Sequence, residues 1–298
     1  MNKLKYLICL AIGIFGFSNL YSNSQLSKDK YESLTRLKGT YNEKEKVFKA
    51  IFPRNDIKIS VDNTQLDPFM GLTSWSAFTS VGENKFMVMG DFVLFQDEVN
   101  PVMTVFLNSN IDVTALHNHF FYDTPKVYFM HIGGEGSLAH LAGGVKKALD
   151  VVKDIRIKNS YPSKNFGGVH ISSQNSIDIS SLEKIFDTKG QSKDGMAKFV
   201  FGRSVKMGDV ILGGDMGVNT WAAFAGTNEN AIIDGDFAVL ENELQSVLKA
   251  LRKGDINIVA IHQHMTLEHP RMIFLHYWGR GNAKNLANTV KEALKLTK

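Results

Sequence analysis

The chain has 298 residues, 44% of them hydrophobic and 21% charged. That composition belongs to a globular protein with enough apolar material for two modest cores rather than one large one, and it sets disorder aside. The formal net charge of +4 is spread without a dense Lys/Arg run, so the footprint of a nucleic-acid binder is missing.

In chain order, Lys3 and Lys5 come first, then an apolar run over 7–17 and a small, polar stretch over 18–25. This is the pattern of a secretory signal peptide and predicts cleavage after Ser24. The run falls well short of the roughly 20 residues that a membrane span requires. No later segment comes near that length, so no stable membrane insertion is expected and the location is read as periplasmic or secreted. The one cysteine, Cys9, lies in the run, too early to carry an acyl anchor. Its removal excludes disulfides, thiolate chemistry and iron–sulfur clusters, and leaves His, Asp and Glu to hold any metal. Loss of Lys3 and Lys5 also lowers the net charge to +2.

Short strands are expected over 47–52 and 57–61, and a long one over 85–95 that bends or bulges at Gly90-Asp91. A helix follows, with Asp97 and Glu98 in its first turn, where carboxylates suit the positive end of the dipole. Pro101 is tolerated only that close to the start. Asn108-Ser109-Asn110 ends the helix. Strands over 111–119 and 126–131 flank a turn containing Asp123-Thr124-Pro125, and a helix over 137–152 closes the unit. The order then recurs: strands over 197–201, 205–212 and 231–240, a helix over 242–252, strands over 256–264 and 271–277, and a helix over 283–296.

The recurrence is a duplication. Set against each other at a constant offset of 145, segments 90–149 and 235–294 share 20 of 60 residues. The predicted fold is therefore α+β, a tandem duplication of an antiparallel-sheet unit with the order roughly βββαββα. Signal peptide 1–24 precedes repeat unit A (30–152), connector 153–177 and repeat unit B (178–298).

Each copy carries His-x-His, eleven residues and a third His: His117, His119 and His131, then His262, His264 and His276. Residues two apart on a strand share a face, so the first two imidazoles are pre-aligned. A hairpin with His119 opposite His131 brings the third to the same face, whereas a one-residue slip takes it away. Three imidazoles with an open position form a common zinc arrangement, and an added carboxylate also suits iron or manganese. Asp91 and Glu98, with Asp236 and Glu243, are the available carboxylates, and Glu98 and Glu243 are favoured for the inner, catalytic position. Structural histidines on a sheet face are the competing interpretation.

Weaker candidates sort to structural roles. His140 and His170 are expected at the surface and His269 in a solvated turn. Trp75, Phe78, Trp221 and Phe224 are expected in the core, and Arg54 and Arg203 in salt bridges.

At Phe52-Pro53-Arg54, Met89-Gly90-Asp91, Glu98-Val99-Asn100-Pro101-Val102, Thr114-Ala115-Leu116-His117-Asn118-His119 and Phe129-Met130-His131, the chain resembles the LppY/LpqO family of exported bacterial proteins. The resemblance covers nearly the whole chain after the leader. It implies export and tandem architecture, and it brings no activity with it. Many members of that family look like lipoproteins, and this chain departs from them in lacking a lipobox. A fainter likeness, by analogy only, is to secreted acetolactate decarboxylases, which hold zinc on His-x-His and a third His.

These residues point to an exported soluble protein with a divalent metal, zinc first, in each repeat. If it is an enzyme, it is a metal-dependent hydrolase or lyase acting on a small molecule. A non-enzymatic envelope protein that binds a ligand or partner is the alternative.

Overall fold

The computed structural model describes residues 26–168 and 170–297. The signal-peptide reading of 1–24 lies outside them. Unit A runs α1 (Lys28–Thr35), β1 (Thr40–Asn42), β2 (Val47–Pro53), β3 (Ile59–Val61), β4 (Thr64–Leu66), β5 (Thr73–Gly82), β6 (Lys85–Phe95), α2 (Gln96–Asn108), β7 (Asp112–His117), β8 (Asp123–Thr124), β9 (Val127–Gly136) and α3 (Leu138–Lys158). Unit B repeats the series as α4 (Ile179–Phe186), β10 (Gln191–Lys193), β11 (Met196–Gly202), β12 (Val205–Met207), β13 (Val210–Leu212), β14 (Asn219–Gly226), β15 (Ala231–Leu240), α5 (Leu244–Lys253), β16 (Asn257–His262), β17 (Glu268–His269), β18 (Met272–Gly281) and α6 (Ala283–Leu294).

The predicted order was too sparse. Each unit begins with a helix, and β5 and β14 are full strands where the sequence offered only Trp75 and Trp221 as landmarks. The 205–212 strand is a tight hairpin, β12–β13, with Gly208 at its tip in the left-handed region (φ 58°). No bulge occurs at Gly90, because β6 pairs with β9 without a break from Phe86 to Phe95. The glycine serves packing instead: a Cβ there would lie 2.8 Å from the Trp75 carbonyl oxygen, and one at Gly235 would lie 2.2 Å from the Tyr277 ring.

Twelve strands form one antiparallel sheet in the order β1-β2-β5-β6-β9-β7-β16-β18-β15-β14-β11-β10. The halves meet at its centre, where β7 pairs with β16 through Leu116 and Ile261. Instead of the two separate cores expected from composition, a single main core runs under both halves, from Phe48 through Phe106, Leu116 and Ile261 to Phe237 and Val290. The helices cover that face, with α2 packed on α3 and α5, and α5 on α6.

The seam has a two-fold logic. A bulge interrupts β7 between Val113 and Ala115, and another interrupts β16 between Ile258 and Ala260. Each frees backbone groups, and an amide side chain from the other half takes them. Asn100 Oδ1 accepts from Ile258 N at 2.8 Å while its Nδ2 donates to Ile258 O at 3.1 Å. The matched Gln245 does the same for Val113, at 3.0 and 2.9 Å.

Alternate residues on the central strands face away from the helices. On that second face, two small three-stranded sheets, β4-β3-β8 and β13-β12-β17, sit over satellite cores that include Phe129 in unit A and Phe274 in unit B.

Candidate metal centre

The second face gathers the histidines. In unit A, Ala115 and not His119 stands opposite His131, and His117 stands opposite Phe129. Strand β7 ends at His117, so His119 lies in the loop beyond it. The expected register is off by four residues, an even number, so the face survives even though the pairing does not. His119 reaches the site by lying flat on Phe129, ring centroids 3.3 Å apart, and His264 lies on Phe274 at 3.6 Å.

The first histidine of each copy is the hub. The His117 ring is 5.1 Å from those of His119 and His131, and the His262 ring is 5.0 Å from His264 and 4.9 Å from His276. In unit A, His117 Nε2 and His131 Nε2 are 3.0 Å apart. In unit B, His264 Nε2 is 3.1 Å from His262 Nε2 and 3.2 Å from Asp236 Oδ2. Asp236, His262 and His264 thus converge as a group of a form that can hold a metal ion. His276 is turned slightly aside, its Nδ1 3.4 Å from the Gly235 carbonyl oxygen.

The carboxylate at the site is the aspartate, which corrects the preference for glutamate. Asp91 pairs across the ladder with His131, and Asp236 with His276. Glu98 is fully buried and committed elsewhere: Arg54 Nη1 donates to it at 2.6 Å, Arg156 Nε stands 3.0 Å away, and it accepts the Phe95 N–H that opens α2. Glu243 accepts from Arg203 Nη1 at 2.5 Å and from Leu240 N–H at 2.8 Å. Both are helix-start caps locked in ion pairs. The expected salt bridges of Arg54 and Arg203 are therefore present. A signal for the aspartates was available, because Gly90-Asp91-Phe92 and Gly235-Asp236-Phe237 match between copies, and phenylalanine facing the core turns its neighbour outward.

Burial raises the Asp91 carboxyl, against the pull of His131, His119 and His117 in the other direction. Burial also lowers His119 and His262, with the neighbouring imidazoles pressing the same way and the aspartate opposing, so both rings favour the neutral form that ligates metals. Buried Oδ1 atoms of Asp91 and Asp236, and Nδ1 of His262, have no hydrogen-bond partner. The same orphaned oxygen in both copies is what a cation would satisfy.

Other predicted residues fall outside the cluster. His140 binds the Ser109 carbonyl oxygen at 2.7 Å, and His170 is exposed. His269 belongs to β17, beside Glu268, whose carboxylate accepts from Met272 N–H as that of Asp123 does from Val127 N–H. Phe78 and Phe224 are core residues, but Trp75 and Trp221 are half-buried on the histidine face. Each stands opposite the site aspartate in the ladder and carries a lysine over its ring, Lys49 at 4.3 Å and Lys198 at 4.7 Å. Beyond the end of β7, a cavity of about 400 Å³ opens beside His276, with Asp234, Asn257, Trp278 and Phe166 in its wall. Phe166, from the connector, stacks on Trp278 at 5.0 Å.

Two segments, 29–151 and 180–296, match the family described as Domain of Unknown Function (DUF1259). The chain belongs to that family. The segments coincide with the two structural halves, so one family unit supplies half of the sheet and one histidine cluster. No curated protein matches the chain. A solved structure, the trimeric bacterial microcompartment shell protein PduB, aligns over 87% of this chain and 89% of its own at 10% identity and a TM-score of 0.20. A likeness that faint says nothing of fold or assembly. Among the described residues no helix is long and apolar enough to cross a membrane.

Proposed function

We propose that this is an exported protein that binds a divalent metal in each repeat, zinc by the chemistry of its donors. The observation that carries the proposal is the triangle of His262 Nε2, His264 Nε2 and Asp236 Oδ2, in which His264 Nε2 lies 3.1 Å from His262 Nε2 and 3.2 Å from Asp236 Oδ2. Two atoms each bonded to a tetrahedral zinc at 2.0–2.1 Å lie about 3.3 Å apart, so this spacing is that of ligands around one ion. In unit A the close imidazole pair is a different one, His117 and His131 at 3.0 Å, and with the orphaned Asp91 oxygen it supports the same role there. The leader pattern over 1–24 and the LppY/LpqO resemblance support export.

Asp236, His262 and His264 would hold the ion in unit B, three protein donors of the kind that catalytic zinc sites use. The fourth, His276, lines the cavity and would serve as the proton-accepting group beside a bound ion, which would supply Lewis-acid activation. The chemistry this favours is a metal-dependent hydrolysis or lyase reaction on a small molecule. Substitution of cobalt(II) tests the site. The expected result is the intense visible absorption of four-coordinate cobalt, reduced by about half in His264→Ala. A weak octahedral spectrum unaffected by that change would defeat the proposal.

A further inference from the structure

The pairing of Leu116 with Ile261 fixes how the two clusters sit relative to each other. Both residues point into the main core, so their neighbours His117 and His262 point to the opposite face. In that antiparallel register His117 stands opposite Ala260 and His262 opposite Ala115. The two hub histidines are diagonal neighbours, about 7–8 Å apart at Cα. Each cluster then extends away from the seam. His131 is opposite Ala115 on the outer side, and His276 is opposite Ala260. One row across the sheet thus reads His131, Ala115, His262, and the next reads His117, Ala260, His276.

Resting on the metal-site proposal above, we infer that the two sites form one ditopic binding face, with metals about 10 Å apart, for a single small molecule carrying two anionic groups. The separation is two strand spacings. It is too great for one bridging oxygen, which requires about 3.5–4 Å, so the sites are two mononuclear centres. In the two central rows, only the methyl groups of Ala115 and Ala260 stand between the histidines of one site and those of the other. The small sheets do not bury this strip: Ala115 and Ala260 are partly exposed, and the satellite cores lie to either side, around Phe129 and Phe274. Two divalent cations facing one strip call for anionic donors at both ends. With metal–oxygen bonds of about 2.1 Å, the donor oxygens lie about 6 Å apart, the span of a short dicarboxylate.

Copper(II) loading of the untagged chain measures the spacing. Two coppers per chain should give a dipolar-broadened spectrum with a half-field transition, and His264→Ala should hold one copper and lose both features. Two magnetically isolated coppers would overturn the shared face while leaving the metal sites standing. A chain that binds no copper would overturn both. Calorimetry on the zinc-loaded chain addresses the ligand. Succinate should bind at least about tenfold more tightly than acetate, and His119→Ala or His264→Ala should remove that advantage. Equal affinities in the unaltered chain would overturn the ditopic ligand.

Discussion

At the residue scale, the structure separates two kinds of carboxylate that look alike in the sequence. Glu98 is held by Arg54 and Arg156 in the interior, so Glu98→Gln leaves cations there without their counter-charge. A loss of about 3–5 kcal/mol in urea denaturation is expected, with metal stoichiometry unchanged. Asp236→Asn should do the reverse, weakening metal affinity by about 10–100-fold in a competition assay at little cost to stability. If Glu98→Gln abolished binding in folded protein, the assignment of aspartate to the site would be wrong. Asp56 provides a pH dependence at the same ion-pair network. Burial pushes its carboxyl up, but hydrogen bonds from Arg54 at 2.8 and 2.9 Å outweigh that and hold it below 3.8. A depressed folded value stabilises the protein fully above the unfolded one and is lost as the pH falls through it. The stability advantage of the native chain over Asp56→Asn should therefore be constant above about pH 4 and shrink in stronger acid.

At the element scale, periodicity revealed most of the long strands and helices. Strands β6 and β15 have the predicted bounds, and α2 ends at Asn108 as its Asn-Ser-Asn signal implies. The His-x-His pattern located both clusters. What alternation could not convey was register, because the bulge after Val113 and the departure of the chain after His117 depend on partners far away in sequence. Nor could it show that His119 is placed by stacking rather than by strand geometry. Phe274→Leu tests that stacking. It keeps apolar bulk under β12–β13, at a stability cost of about 1 kcal/mol. It should still weaken metal binding in unit B while leaving unit A intact, as read by stepwise titration of two sites. Gly235→Ala forces a methyl against Tyr277 and the Trp221 carbonyl oxygen, and a loss of about 1–3 kcal/mol is expected.

At the scale of the whole molecule, the duplication could be read from the sequence but its consequence could not. Two matched units suggested two domains, yet the units share one sheet and one main core, and their amides complete each other's bulges. Asn100 and Gln245 occupy matched positions, so a repeat comparison carried the hint, but nothing local showed that each serves the opposite half. Asn100→Ala should cost about 1–3 kcal/mol, because Ile258 then keeps buried backbone groups without partners. Calorimetric unfolding should remain one cooperative transition, not two. Both sites depend on this joined sheet for their placement, and both depend on a metal for their meaning. Elemental analysis of protein purified without a polyhistidine tag is therefore the most direct measurement. Two equivalents of divalent metal per chain are expected, one in either His119→Ala or His264→Ala, and none in the double variant. Metal-free protein that takes up none from excess zinc, or binding untouched by both substitutions, would contradict it.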